Sequence, residues 1–134
     1  TGVNVGDNDV FLLKYDTNGT QQWVDQIGTS SYDYAHGVAV DVSGNSYVTG
    51  RTRGTLIGSN VGGYDIFLLK YNSFGTQEWI RQIGTSDTER GNDVAVDSLG
   101  NVYVTGHTGG DLAGINAGSY DIFLLKYDTN GNLQ

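Results

Sequence analysis

Cysteine, proline and methionine are all absent from this chain of 134 residues. Without cysteine the protein has neither disulfide bonds nor thiolate metal sites, so cysteine pairing says nothing about its redox compartment. Long hydrophobic runs are also lacking, because no stretch approaches the roughly 18 consecutive apolar residues that a membrane-spanning helix needs. The sequence therefore predicts no membrane-spanning segment.

Basic residues are scarce. The chain has 7 lysines and arginines against 15 acidic residues, which gives a formal net charge of −8. Such a charge repels the phosphate backbone, and the sequence contains no local run of Lys and Arg that would offset it. We therefore expect no nucleic-acid partner.

Glycine and tyrosine are abundant, with 21 and 9 residues, and this composition favours turns and strands over helices. The chain also repeats itself. Asp9, Asp65 and Asp121 each open the same heptapeptide, D-[VI]-F-L-L-K-Y, at intervals of 56 residues. Since 134/56 is 2.4, the chain holds about 2.4 copies. Both ends fall inside a copy and the first residue is Thr1, so we expect a processed product or a segment of a longer protein.

One 56-residue period reads as four short strands rich in branched and aromatic residues and bounded by turn residues. The predicted strands are Gly37–Asp41, Ser46–Thr49, Asp65–Tyr71 and Glu78–Ile83. Asp-x-x-Gly segments between them have the chemistry of tight hairpin turns. The fold class is therefore all-β, with tandem four-stranded antiparallel blades of a β-propeller in an incomplete ring. We divide the chain into a partial blade (1–34), a full repeat (35–90) and a partial repeat (91–134).

The heptapeptide is apolar at consecutive positions, as in Phe67, Leu68 and Leu69, which predicts that neighbouring blades cover both faces of its strand. Trp23 and Trp79 recur at one repeat position and are expected to pack between blades. The aspartates and lysines of the heptapeptide recur in every copy. We expect them to bond to a turn or to an adjacent blade.

The order and spacing of these motifs resemble a known family. Gly37-Val38-Ala39-Val40-Asp41 is followed by Tyr47-Val48-Thr49-Gly50, a Gly/Asn-rich link and Asp65–Tyr71. This pattern is similar to the bacterial SBBP β-propeller repeat along essentially the whole chain. The resemblance implies a blade repeat of secreted and surface-associated proteins, without a defined enzymatic activity and without catalytic residues to transfer.

Nothing in the sequence nominates a catalytic or metal site. His36 and His107 do not occupy equivalent repeat positions, as a shared metal or catalytic role would require, and are read as ordinary surface histidines. The Asp-Thr-Asn-Gly turns resemble the start of a calcium loop but lack its later ligands. We expect no cofactor, with calcium coordination at these turns as the alternative.

Individual function is expected where the copies differ. The largest difference is the segment 31–36, predicted to be a loop leading to the inner strand. Its residues Tyr32, Asp33, Tyr34 and His36 are candidates for binding a partner or a glycan, and unconstrained variation of a loop is the alternative.

The sequence thus predicts a non-catalytic propeller module of an extracellular or cell-surface bacterial protein that acts as a structural or protein-interaction scaffold. Its expected partners are another protein or a second copy of the chain, held through open blade edges. The alternative is a lectin-like or calcium-assisted ligand-binding propeller. A third possibility is an enzyme whose active residues lie outside this segment.

Overall fold

The computed structural model describes residues 3–134, which form nine strands. These are β1 (Val10–Tyr15), β2 (Gln21–Ile27), β3 (Asp33–Val40), β4 (Ser46–Thr52), β5 (Asp65–Tyr71), β6 (Gln77–Ile83), β7 (Glu89–Val96), β8 (Val102–Thr108) and β9 (Asp121–Tyr127). They pair antiparallel in three sheets, which we call the first blade (β1–β2), the second blade (β3–β6) and the third blade (β7–β9). Within residues 3–134 no helix is long and apolar enough to cross a membrane. The all-β prediction is confirmed.

Tight turns close the hairpins as the sequence predicts. Gly44 has a φ of 81°, in the left-handed region that glycine enters without steric cost. Three residues before it, the Asp41 carboxylate accepts the backbone N–H groups of Ser43 and Asn45, each at 2.9 Å. The same arrangement recurs in the other Asp-x-x-Gly turns, and Asn72 replaces aspartate in one of them.

The three copies of the heptapeptide differ in what covers them. In the second blade Ile66 and Phe67 point to opposite faces of β5 and are only 1% and 0% exposed. Phe11, the equivalent of Phe67 in the first blade, is 66% exposed, whereas Ile122, the equivalent of Ile66 in the third blade, is 92% exposed. The heptapeptide strand of the middle blade, β5, is therefore covered on both faces, as predicted, whereas β1 and β9 each have one covered and one open face.

Two apolar cores lie between the blades. The first joins β1 to the second blade through Val10, Val48, Phe67, Leu69, Tyr71 and Ile80. The second joins the second and third blades through Tyr47, Ile66, Leu68, Val94, Val102, Val104, Phe123, Leu125 and Tyr127. Interblade burial, rather than a core within each sheet, thus holds the described structure together.

The inner strand begins earlier than the sequence predicts. We expected it at Gly37, but β3 starts at Asp33 and shifts register between Ala35 and Gly37. This β-bulge breaks the alternation of side chains that marks a strand in sequence, which is why the prediction was wrong there. The repeat boundaries placed after residues 34 and 90 accordingly fall two residues inside β3 and β7.

Candidate functional site

The four candidate residues lie at the N-terminal end of β3 or directly before it. Asp33, Tyr34 and His36 belong to the strand, and Tyr32 forms a single parallel bridge with Asn8 of the first blade. The expectation of a loop was therefore wrong for 33–36. The backbone here is held on two sides, since Tyr34 also pairs with Arg51 of β4.

Asp33 is buried, unlike the partly exposed Tyr32 and Tyr34 beside it in the sequence. It is 1% exposed, and its carboxylate accepts the backbone N–H of Thr29 at 2.6 Å and the hydroxyls of Thr29 and Thr52. In the third blade Glu89 makes the equivalent bonds and is 0% exposed. Asp33 is thus a structural residue that ties the start of β3 to the end of β4, and its carboxylate is not free to meet a partner.

The other three candidates form a row of rings along one face of β3. Tyr32 and Tyr34 lie with ring centroids 6.3 Å apart and planes 4° apart. Tyr34 and His36 follow at 6.5 Å and 7°. This spacing is that of alternate residues on an extended strand. All three side chains are partly buried, so each keeps a surface open to solvent.

Two further residues join this row, and the sequence analysis missed both. The Arg51 guanidinium carbon lies 5.1 Å from the Tyr34 ring centroid and 4.5 Å from that of Tyr64. Tyr64 comes from the link before β5 and its ring is 6.5 Å from that of Tyr34. The available signal was that Arg51 differs from its repeat equivalent, His107, just as Tyr34 differs from Arg90. We call Tyr34, Arg51 and Tyr64 the Arg51 cluster.

The structure also brings the two histidines to the same end of the molecule, although they are not equivalent in the repeat. Burial lowers the pKa of His36, and the positive charges of Arg90, Arg51 and His107 lower it further. The basic residues that looked scattered in the sequence are therefore close enough in space to act on one another. This environment disfavours the protonated form of His36.

The turn aspartates, which were the calcium candidates, are occupied by their own turns. The Asp128 carboxylate accepts the Asn132 side-chain amide at 2.9 Å and the backbone N–H groups of Asn130 and Asn132. Hydrogen bonds from the backbone and the side chain of Asn132 are the largest of the influences that lower the pKa of Asp128. Across residues 3–134 no three His, Asp or Glu side chains gather in a way that could hold a metal ion.

The recurring tryptophan and lysine bond to the next blade. The Trp23 indole N–H donates to the carbonyl oxygen of Ser73 at 3.2 Å, and the Lys14 ammonium donates to the same oxygen at 3.0 Å. Trp79 and Lys70 repeat both bonds to Thr129. The indole of Trp23 also stacks on Tyr71, with centroids 6.1 Å apart. The prediction that these residues join blades is confirmed.

The recurring aspartate bonds to the link that precedes it. Asp65 accepts the backbone N–H of Val61 at 3.1 Å and the side-chain amide of Gln82 at 2.9 Å. Asp9 and Asp121 accept the equivalent N–H groups of Val5 and Ala117. The recurring aspartate therefore bonds to its own preceding link in every copy, rather than to a turn or an adjacent blade as we expected.

An open groove of about 690 Å³ runs between the first and second blades beside the row of rings. Phe11 lines one side of it, Tyr34 and His36 line the other, and Asp7 and Asp9 lie at the rim. The first blade consists of β1 and β2, the equivalents of β5 and β6. The groove is the space beside its missing inner strands.

Successive blades joined through apolar faces and Trp and Lys contacts define this protein as an incomplete β-propeller. A family model described as the SBBP β-propeller repeat matches residues 22–58 and 78–113, more than half of the chain. The chain belongs to the SBBP β-propeller repeat family, as its resemblance indicated.

Two curated relatives align with 96% of the chain. An uncharacterized WD repeat-containing protein of Acanthamoeba polyphaga mimivirus is 28% identical over 151 residues. The regulatory protein FlaEY of Caulobacter vibrioides is 29% identical over 142 residues. The chain spans only 11% and 15% of the lengths of these two proteins, respectively.

Proposed function

We propose that this chain is a non-catalytic scaffold module, a run of blades that stacks on further blades through its two open faces. The N-terminal open face consists of Phe11, Leu13 and Tyr15, and the C-terminal open face is centred on Ile122 and Leu124. The single observation that carries the proposal is the burial of equivalent residues inside the chain. Faces of this composition already meet between the second and third blades.

The two open faces are complementary because they repeat the two sides of an interface inside the chain. At the interface between the second and third blades, Ile66 and Leu68 pack against the face that contains Phe123, Leu125 and Tyr127. Ile122 and Leu124 occupy the positions of Ile66 and Leu68, and Phe11 and Leu13 occupy those of Phe123 and Leu125. The C-terminal face of one copy therefore suits the N-terminal face of another, in a head-to-tail contact.

The tryptophans support a scaffold rather than a lectin-like platform at their positions. A sugar-binding platform needs an exposed indole face, but Trp23 is partly buried and uses both its ring and its N–H for the neighbouring blade. We further propose that the module serves in a secreted or surface-bound bacterial protein, with another blade as its protein partner. Fractionation of cells that produce the parent protein would locate it.

Sedimentation of the isolated chain tests the stacking proposal. At micromolar concentration we expect an apparent mass above 14.4 kDa that rises with concentration, because both faces expose apolar surface. Ile122→Lys should abolish this association by placing a charge in the contact. Val42→Lys is the matched control, since Val42 is also 92% exposed but lies in a turn away from the faces. A folded monomer at every concentration would contradict the proposal, as would equal loss in both variants.

A further inference from the structure

The turn between β1 and β2 carries a tripeptide pattern that occurs once in the sequence. Asn18, Gly19 and Thr20 form Asn-x-Thr, the pattern to which oligosaccharides are attached through an asparagine side chain. No other asparagine of the chain is followed by Ser or Thr two residues later. The corresponding turn of the third blade has the same residues except at its end, where Asn132 replaces Thr20. The fold must still present the pattern to an enzyme for it to form a site.

The turn itself does not require asparagine at position 18. The Asp16 carboxylate closes the turn by accepting the backbone N–H groups of Asn18 and Thr20, each at 2.9 Å, so Asn18 contributes only its backbone. Two other turns with the same bonds have Phe74 and Leu99 at this position, directly before the glycine. The side chain of Asn18 is therefore not explained by the geometry of the turn.

The groups that an acceptor needs are open to solvent. Asn18, Gly19 and Thr20 are all exposed at the tip of the β1–β2 hairpin. The Asn18 side-chain amide and the Thr20 hydroxyl make no hydrogen bond to any residue between 3 and 134, since the bonds of this turn use backbone N–H groups. Both groups are thus available to an enzyme that approaches the turn.

Stacking of blades leaves this position open. In the second blade the corresponding turn is covered by the first blade, because the Trp23 indole N–H donates to the carbonyl oxygen of Ser73 and the Trp23 ring lies against Gly75. Phe74, between these two residues, is nevertheless 84% exposed. A blade stacked on β1 and β2 in the same way would contact the neighbours of Asn18 and leave its side chain in solvent.

We propose that Asn18 is an acceptor for N-linked glycosylation, with an oligosaccharide on a polyprenyl diphosphate as the donor. The Asn18 amide nitrogen forms a bond to the anomeric carbon, and the bond from that carbon to the diphosphate breaks. The diphosphate leaves with the bonding electrons, and the amide gives up one proton. Bacterial oligosaccharyltransferases also select an acidic residue two positions before the asparagine, where this chain has Asp16. The site goes beyond the scaffold function and rests on the proposed export of the chain.

The experiment is transfer in vitro to the folded chain, using a purified single-subunit bacterial oligosaccharyltransferase and a polyprenyl-diphosphate oligosaccharide. We expect intact mass spectrometry to show one added oligosaccharide, and peptide fragmentation to place it on Asn18. Thr20→Val should abolish transfer, because it removes the hydroxyl and keeps the shape of the side chain, whereas Thr20→Ser should retain it. Circular dichroism shows whether each variant is folded.

Asn132→Thr is the matched gain of function, since it completes the pattern around Asn130 in the turn that Trp79 covers. We expect this variant to accept two oligosaccharides. A single one would overturn the inference that a covered turn stays open. The modified chain should still associate in sedimentation as the unmodified chain does, and loss of association would contradict the placement of Asn18 outside the contact.

Absence of transfer to the folded chain, or transfer only after unfolding in urea, would overturn the acceptor site. Transfer that is unchanged in Thr20→Val would also overturn it. None of these results depends on where a cell places the protein. Retention of the parent protein inside cells would instead contradict the proposed export, so the two failures can be told apart.

Discussion

The same phenylalanine placed in two environments gives a direct test of the interblade packing. Phe67 is 0% exposed between the first and second blades, and Phe11 is 66% exposed on the open N-terminal face. Burial governs the cost of truncating a large apolar side chain, because the loss combines transfer free energy with the cavity left behind. The two variants Phe67→Ala and Phe11→Ala remove identical atoms from identical repeat positions.

We expect Phe67→Ala to lower the free energy of unfolding by about 3–5 kcal/mol. For 134 residues, an unfolding entropy of about 2.1 cal/mol/K per residue gives about 0.28 kcal/mol/K, so the melting temperature should fall by about 11–18 °C. Phe11→Ala should change the free energy of unfolding by no more than about 0.5 kcal/mol, as exposed substitutions do. Urea unfolding and thermal melts of both variants provide the measurement.

Protein concentration must be kept low enough for the chain to be monomeric by sedimentation, since association through the N-terminal face would bury Phe11 as well. Comparable losses in the two variants under these conditions would refute the difference between the covered and open faces. A loss below about 1 kcal/mol for Phe67→Ala would refute the interblade core itself. At concentrations where the chain associates, the cost of Phe11→Ala should grow towards that of Phe67→Ala.

Three further outcomes follow from single positions. Gly50→Ala should destabilise strongly in urea unfolding, because a Cβ there would overlap the carbonyl oxygen of Tyr34, whereas Gly114→Ala, with open space around it, should be neutral or slightly stabilising. Asp33→Ala should cost about 2–5 kcal/mol because it leaves the backbone N–H and the hydroxyl of Thr29 unpaired and removes the bond from the Thr52 hydroxyl. Asp33→Glu should cost less, since glutamate makes these bonds at the equivalent position. An NMR titration should give His36 a pKa below its ordinary value of 6.5. As the pH falls below about 6.5, the unfolded chain then binds more protons than the folded chain, so the free energy of unfolding should decrease. A free energy of unfolding that does not change with pH in this window would contradict the prediction.

The fold could be predicted because the repeat displays its packing in the sequence. Consecutive apolar residues at 66–69 require cover on both faces, and nothing but a neighbour on each side provides it. The turns could be predicted equally well, since an aspartate followed three residues later by glycine specifies both the side-chain bonds and the left-handed residue. The start of β3 could not be predicted, because a bulge and a buried Asp33 interrupt the usual alternation of apolar and polar residues in a strand.

The Arg51 cluster could be predicted only in part. Tyr34 was singled out because it differs between copies, but Arg51 and Tyr64 lie 17 and 30 residues further along the chain. Their meeting depends on the register of β3 with β4 and on the path of the link before β5. Sequence reasoning treats basic residues as clustered only when they are neighbours in the chain. Strand pairing brings together residues that are not.

Shared and differing residues therefore lie in different parts of each blade for a physical reason. Lys14 and Trp23 bond to the turn of the next blade, and Lys70 and Trp79 do the same one repeat later. A change at such a position breaks a contact that the neighbouring blade cannot replace. The residues at the start of β3 and the end of β4 instead leave their nitrogens unpartnered, as Arg51 and Arg90 do. Their identity can therefore change from blade to blade without the loss of an interblade hydrogen bond of this kind.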